Sequence, residues 1–389
     1  MLGYLLARAG LDVVVLERHG DFFRDFRGDT IHPSTLDMLA ELGLLDEFLR
    51  DVPHTELRQF QLVVGSQTVP GPDFSRLPTR CKFVAFTPQW DFLNFLAEKA
   101  KRFRGFHLMM QADVKELTRE SGRVSGVIAD TVYGPQTILA DLVVGCDGRH
   151  STVREQAGLE SDDRSTPIDV LWMRVSRRPD DPNLVLGTIG DDKAMVMLNR
   201  GTYWQCAYLI PKGGLDTFVQ RGIEALRAGV LSLAPFLTER VAELRTWDDV
   251  KLLSVKVDCL KRWYQPGLLC IGDAAHAMSP IGGVGINLAI QDAVAAANIL
   301  YAPLRGGHVQ MADLEAVQRR REPPTKSTQA IQIVLGNGLV RILREGDGVR
   351  RMRPFVFVLR HFPFVRRLGA RTIGVGFRPE HVATPEATS

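Results

Sequence analysis

No two cysteines in this chain stand at C-x-x-C spacing. The five, Cys81, Cys146, Cys206, Cys259 and Cys270, are scattered. That argues against a zinc site or a dithiol redox pair and fits buried free thiols in a reducing compartment. Long apolar runs are missing too, since none reaches the roughly 18 residues of a membrane span. The N-terminal stretch carries Arg8 and Asp12 and offers no cleavage site, so it makes a poor signal peptide. Charge of one sign is scarcely in excess: 48 Lys+Arg face 45 Asp+Glu, a net +3, which gives no reason to expect a nucleic-acid partner. There is no internal repeat and no low-complexity tract. A cytoplasmic location is the expectation. At 389 residues, 45% of them hydrophobic, the chain can bury a large core and divides into two domains or one domain carrying an insertion.

What is present centres on residues 268–297, LLCIGDAAHAMSPIGGVGINLAIQDAVAAA. Leu268 to Ile271 read as a short buried strand, Gly272-Asp273 ends it, and after Gly282, Gly283 and Gly285 a helical pattern begins near Asn287. An acid at the end of a parallel strand sits at the rim where open α/β sheets bind ligands and accepts hydrogen bonds from sugar-alcohol hydroxyls. Glycines let the backbone approach a flat ring, and the helix N-terminus turns its N–H groups toward anionic atoms. A G-D-A-A-H string alone could be a structural turn.

Gly272-Asp273-Ala274-Ala275-His276, followed by Pro280-x-Gly-Gly-x-Gly-x-Asn287 and Gln291-Asp292-Ala293, resembles the C-terminal flavin motif of the FAD-dependent aromatic hydroxylases, the para-hydroxybenzoate hydroxylase-like family. A second match, Asp147-Gly148 at the end of the apolar run 141–146, resembles that family's D-G motif, although an acid there also caps the helix expected after Ser151. The resemblance implies an α/β fold: a doubly wound parallel-sheet FAD domain, like that of glutathione reductase, with an inserted antiparallel substrate sheet and C-terminal helices. It also implies a monooxygenase that takes NADPH or NADH and O2 and hydroxylates an aromatic or similar electron-rich small molecule through a flavin C4a-hydroperoxide.

Carried over residue by residue, Asp273 holds the ribityl chain, while Pro280, Gly282, Gly283, Gly285, Ile286 and Asn287 flank the ring. Asp147 and Gly148 serve the pyrophosphate region, and Gln89 matches a glutamine that hydrogen-bonds FAD. Arg27 matches an arginine on the FAD phosphates, where a guanidinium forms a bidentate pair. A solvated loop arginine is the plain alternative for Arg27 and for Arg18. No residue stands out as an acid-base catalyst, and His276 reads first as a packed loop histidine.

The start of the chain departs from the family. Residues 2–9, LGYLLARA, read as a helix closed by Gly10, and Val13 to Leu16 as a strand ending at Glu17-Arg18. In a dinucleotide fingerprint the ribose-binding acid lies about 20 residues beyond a G-x-G-x-x-G turn, but only 16 residues precede Glu17. The turn and first strand are therefore expected upstream of Met1. A sequence that begins at an internal methionine is favoured over a naturally shortened form with impaired FAD binding.

The remaining expectations follow the chain. A helix opens at His32-Pro33-Ser34, strands fill 57–70, Pro70 to Pro78 form a loop, and an amphipathic helix starts after Thr87-Pro88. A three-strand meander covers 107–115, 123–129 and 136–140. Four antiparallel strands between 168 and 210 roof the site, with Trp172, Tyr203, Trp204 and Tyr208 as pocket candidates or ordinary sheet packing. Residues 214–246 are helical, and 250–257 return as a strand to the FAD domain. Pro323-Pro324 break the chain before an arginine-rich apolar segment, 350–377. That segment offers a peripheral membrane or partner surface, but packed amphipathic helices with outward arginines are preferred because Pro354 and Pro363 interrupt any long face.

The expected division is 1–56, 82–164 and 250–322 for the FAD domain, 57–81 and 165–249 for the substrate domain, and 323–389 for the C-terminal helices. The oligomeric state is left as monomer or homodimer. Two other readings stay open: another flavin oxidoreductase of this fold, a halogenase or a reductase, and a non-catalytic remnant. Halogenation is disfavoured because Cys206 and Tyr208 stand before Ile210-Pro211 where a W-x-W-x-I-P motif needs tryptophans.

Overall fold

The computed structural model describes residues 1–23, 30–164, 166–182 and 186–387. Its helices, in chain order among the described residues, are α1 (Leu2–Arg8), α2 (Pro33–Glu41), α3 (Leu45–Asp51), α4 (Gln89–Ala100), α5 (Thr152–Gln156), α6 (Leu215–Arg221), α7 (Ile223–Leu233), α8 (Gly285–Arg305), α9 (Met311–Glu345), α10 (Gly348–His361) and α11 (Pro363–Gly374). With mixed sheets beside them, they make an α/β fold.

Two parallel strand pairs form under α1, α4 and α8. Val13–Glu17 pairs with Phe106–Met110, and Val143–Gly145 pairs with Leu268–Cys270, which also pairs antiparallel with Tyr264–Gln265. Apolar runs such as VVVLE suit strands covered on both faces. Among the described residues these pairs do not join into one sheet, and Val14 remains 44% exposed. The cavity described below runs between Val13–Glu17 and Val143–Gly145.

Over this layer lies a seven-stranded sheet ordered Lys251–Leu253, Ile168–Ser176, Tyr203–Pro211, Ala194–Asn199, Leu186–Ile189, Gln59–Val64, Gln67–Asp73. All neighbours are antiparallel except Leu186–Ile189 with Gln59–Val64. Side chains alternate as the pleat requires. On Tyr203–Pro211, Trp204, Cys206, Tyr208 and Ile210 pack with Leu226, Val230 and Leu233 of α7, while Gln205, Ala207 and Leu209 face the cavity.

Several expectations need correction. The run 107–115 is two strands: Phe106–Met110 belongs to the parallel pair, and Gln111, at φ 54°, turns the chain into Asp113–Glu120. The meander is therefore Asp113–Glu120, Arg123–Thr131 and Gly134–Leu139. Residues 70–73 extend a strand rather than a loop, and the prolines are tolerated because this strand is an edge. Lys251–Leu253 pairs with Ile168–Ser176 and so belongs to the seven-stranded sheet, not to the parallel layer.

Pro323 and Pro324 do not break the chain. They lie inside α9, so the expected boundary at 323 falls within a helix. Tertiary anchors hold the helix on both sides of them. Arg321 is fully buried in ion pairs, Gln329 Nε2 donates to the carbonyls of Asp258 and Ala277, and Gln332 Nε2 donates to those of Ser279 and Ile281. α8 is long and apolar enough to cross a membrane, yet most of that stretch is buried as the helix packs between α1 and α9.

Candidate functional site

The strand Leu268–Cys270 delivers the chain into Gly272, whose φ of 59° makes the sharp turn that places Asp273 at the strand's carboxyl end. A Cβ at Gly272 would stand 3.0 Å from Ala289 Cβ, so glycine also allows this turn to seat on α8. The loop then runs through Pro280 to Gly282 (φ 81°) and Gly283 (φ 63°) before α8 starts at Gly285. Gly283 is the tightest point, because a Cβ there would meet Thr30 Oγ1 at 2.5 Å. Thr30 Oγ1 instead donates to the Gly283 carbonyl at 2.8 Å, clamping the loop to the 30–35 segment.

Asn287 completes that clamp from inside. Its Oδ1 accepts from His32 N (2.8 Å) and Thr35 Oγ1 (2.9 Å), and its Nδ2 donates to the Thr30 carbonyl (2.8 Å). It is buried and does not line the cavity, so it braces the loop rather than facing a ligand.

Beneath the turn lies a buried ionic cluster. Asp292 Oδ2 accepts from Gly272 N (3.0 Å) and pairs with His276 Nε2 (2.5 Å), while Arg321 Nε donates to Asp292 Oδ1 (2.9 Å). Arg321 also pairs with Glu380 at 3.0 Å. Burial alone would raise the Asp292 carboxyl, but His276 and Arg321 outweigh it and hold it below the usual aspartate range. His276 is a packed histidine. Arg321 and Glu380 were missed in the sequence. The available signal was that Arg321 continues the buried stripe Leu314, Val317, Gln318 of α9.

One cavity of about 2470 Å³ gathers most of the expected residues. Gly272, Asp273, Pro280, Gly282, Gly283, Gly285 and Ile286 line it from the loop; Asp147 and Gly148 from the second motif; Glu17, Arg18 and Gln89 from the far end. Asp147 also caps α5, accepting from Ser151 Oγ and from Val153 N (3.1 Å), so both readings of that motif hold. Gly148 has φ 86°, and a Cβ there would meet no atom within 4 Å, leaving its place to the cavity. Arg27 lies outside the described residues.

Of the aromatic candidates, Trp172 lines the cavity, whereas Trp204 and Tyr208 sit in the packed layer behind the sheet and Tyr203 is not on the cavity wall. Cys146 faces the cavity from deep in the protein, where burial pushes its thiol up to about 12. Gln205 was not foreseen. It is 3% exposed and lines the cavity; its Oε1 accepts from Arg200 Nε at 3.0 Å, and its Nε2, itself buried, has no hydrogen-bond partner among the described residues.

The donor set fits FAD. Carboxylates at two strand ends can accept from sugar hydroxyls, and the 21-residue α8 aims its N-terminus at the loop. The glycines leave room for a ring.

Comparison with known proteins agrees with the geometry. Residues 1–330 match the family model described as FAD binding domain. The 6-methylpretetramide 4-monooxygenase of Streptomyces rimosus is 32% identical over 90% of this chain and 84% of its own length. An uncharacterized aromatic compound monooxygenase of Bacillus subtilis is 25% identical over 79% of this chain, which spans only 60% of that relative's length. Among solved structures, a probable FAD-dependent monooxygenase of Pseudomonas aeruginosa, pqsL, superposes with a TM-score of 0.74 over 92% of this chain and 95% of its own, at 21% identity, and so supports the fold alone. From its two motifs, its cavity and these relatives, the chain belongs to the FAD-dependent aromatic monooxygenases, the para-hydroxybenzoate hydroxylase-like family.

Proposed function

We propose that this chain hydroxylates an aromatic compound, using FAD, NAD(P)H and O2. The observation that carries the reading is that the Asp273 loop and the inward face of the seven-stranded sheet line the same cavity. Reduced FAD, when bound, supplies the oxygen chemistry.

The chain's residues bind and orient. Asp273 would accept hydrogen bonds from the ribityl hydroxyls, Glu17 and Arg18 would serve the adenosine end, and Gln89, Asp147 and Gly148 would hold the part between. The N-terminus of α8 would favour negative charge on a ring bound at the loop. Val170, Trp172, Ala207 and Leu209 give an apolar wall that keeps water from the reacting atoms. Gln205 also stands in that wall, with its Oε1 held by Arg200 Nε at 3.0 Å. The doubly wound arrangement of the FAD domain, with the seven-stranded sheet as the substrate part, belongs to the same proposal.

The test begins with the purified chain titrated with FAD and followed by its visible spectrum. NAD(P)H oxidation is then measured with a polycyclic phenol under isotopically labelled O2. Incorporation of one labelled oxygen atom into the product is expected. Flavin uptake without any incorporation across such phenols would reject hydroxylation, and no flavin uptake would reject FAD binding by this chain.

A further inference from the structure

We propose that the corner between α10 and α11 docks on an anionic phospholipid surface. Residues 348–374 contain seven arginines and no aspartate or glutamate. Arg350 and Arg351 reach back to Asp347 and Glu345 and Arg366 lines the cavity, but among the described residues no carboxylate pairs with Arg353, Arg360, Arg367 or Arg371. Between these cations stands an aromatic ladder. Phe357, Phe362 and Phe364 are 55%, 42% and 64% exposed, with ring centroids 6.4 Å apart for Phe357 and Phe362 and 6.0 Å for Phe362 and Phe364. None of the three lines the cavity, so their exposure is to the outside.

Outward arginines follow from an amphipathic helix, but outward phenylalanines do not. α10 already buries Val356 and Leu359 against the edge strand Gln67–Asp73, and Phe357 points away from them. The break at Phe362-Pro363 turns the chain so that Phe362 and Phe364 join Phe357 at the corner. Exposed aromatics ringed by unpaired guanidiniums match the boundary between acyl chains and anionic headgroups: the rings enter the apolar edge and the arginines meet phosphate. A second copy on a two-fold axis would set arginine against arginine. Phe355 lines the cavity from the face of α10 turned away from Phe357.

Flotation of the purified full chain with vesicles tests the proposal, using phosphatidylcholine alone and equal parts phosphatidylcholine and phosphatidylglycerol. The chain should float with the anionic vesicles at low salt and stay behind with phosphatidylcholine. The pair Arg367→Ala and Arg371→Ala should weaken partitioning about thirtyfold, at the usual worth of a basic residue near an anionic surface. Phe357→Ser with Phe364→Ser should weaken it while leaving the circular dichroism and thermal midpoint unchanged. The proposal is overturned if the chain floats with neither vesicle, or if the phenylalanine variant floats as well as the parent. A dimer that dissociates on Phe364→Asp, in a chain that ignores vesicles, would assign the corner to a second copy instead. Binding to polyglutamate as tight as to the vesicles would show that charge alone is read, and would equally overturn it.

Discussion

Arg321 and Asp292 meet at 2.9 Å with both side chains wholly out of solvent, so a helix after the flavin loop is fastened to the helix that begins at it. Through Asp292 the fastening reaches Gly272 N. Removing one member of a buried pair leaves the other charge uncompensated. Arg321→Met should therefore lower unfolding free energy by about 3–5 kcal/mol in urea titration, and adding Asp292→Asn should recover part of that loss. A loss below about 1 kcal/mol would show that the cluster is slack.

Acid should weaken the fold through His32. Burial lowers its imidazole to about 4, only partly opposed by the Ile373 carbonyl 2.7 Å from Nδ1. The unfolded chain takes up that proton near 6.5, the folded one not until about 4, so the unfolded state holds more protons in between. Stability should fall as pH drops through that window, by a total of about 3 kcal/mol. His32→Gln should flatten this part of the stability profile, and an unchanged slope would reject the assignment.

Asp273→Ala should raise the dissociation constant for FAD roughly tenfold to a hundredfold, the worth of a hydrogen bond to a charged group. The urea midpoint should stay put. Unaltered flavin occupancy after gel filtration would remove the ribityl role.

Gly283→Ala meets two obstacles, a φ of 63° and Thr30 Oγ1 at 2.5 Å. A cost of about 1–3 kcal/mol is expected, with weaker flavin retention. Adding Thr30→Ala should relieve the collision but not the backbone strain. Full recovery would mean that strain is absent.

Local chemistry carried much of the site into the sequence. The Gly272-Asp273 turn, the Asp147-Gly148 turn and the glycines before α8 are contiguous, and each needs a particular residue at a particular spacing. What failed to show were partners distant in the chain. Glu380 reaches Arg321 across 59 residues, and nothing local in either neighbourhood announces the other. Pro323-Pro324 look like a stop because proline costs a helix its hydrogen bonds. Only the buried contacts of Arg321, Gln329 and Gln332 reveal why the helix continues. Trp204 and Tyr208 illustrate a further limit: alternation shows that a strand has two faces, but which face meets the cavity is decided by α7, which packs on one of them.

Gln329 and Gln332 tie the middle of α9 to the carbonyls of Ala277, Ser279 and Ile281, so the long helix is a splint for the loop that carries the flavin glycines, and neither can shift without the other.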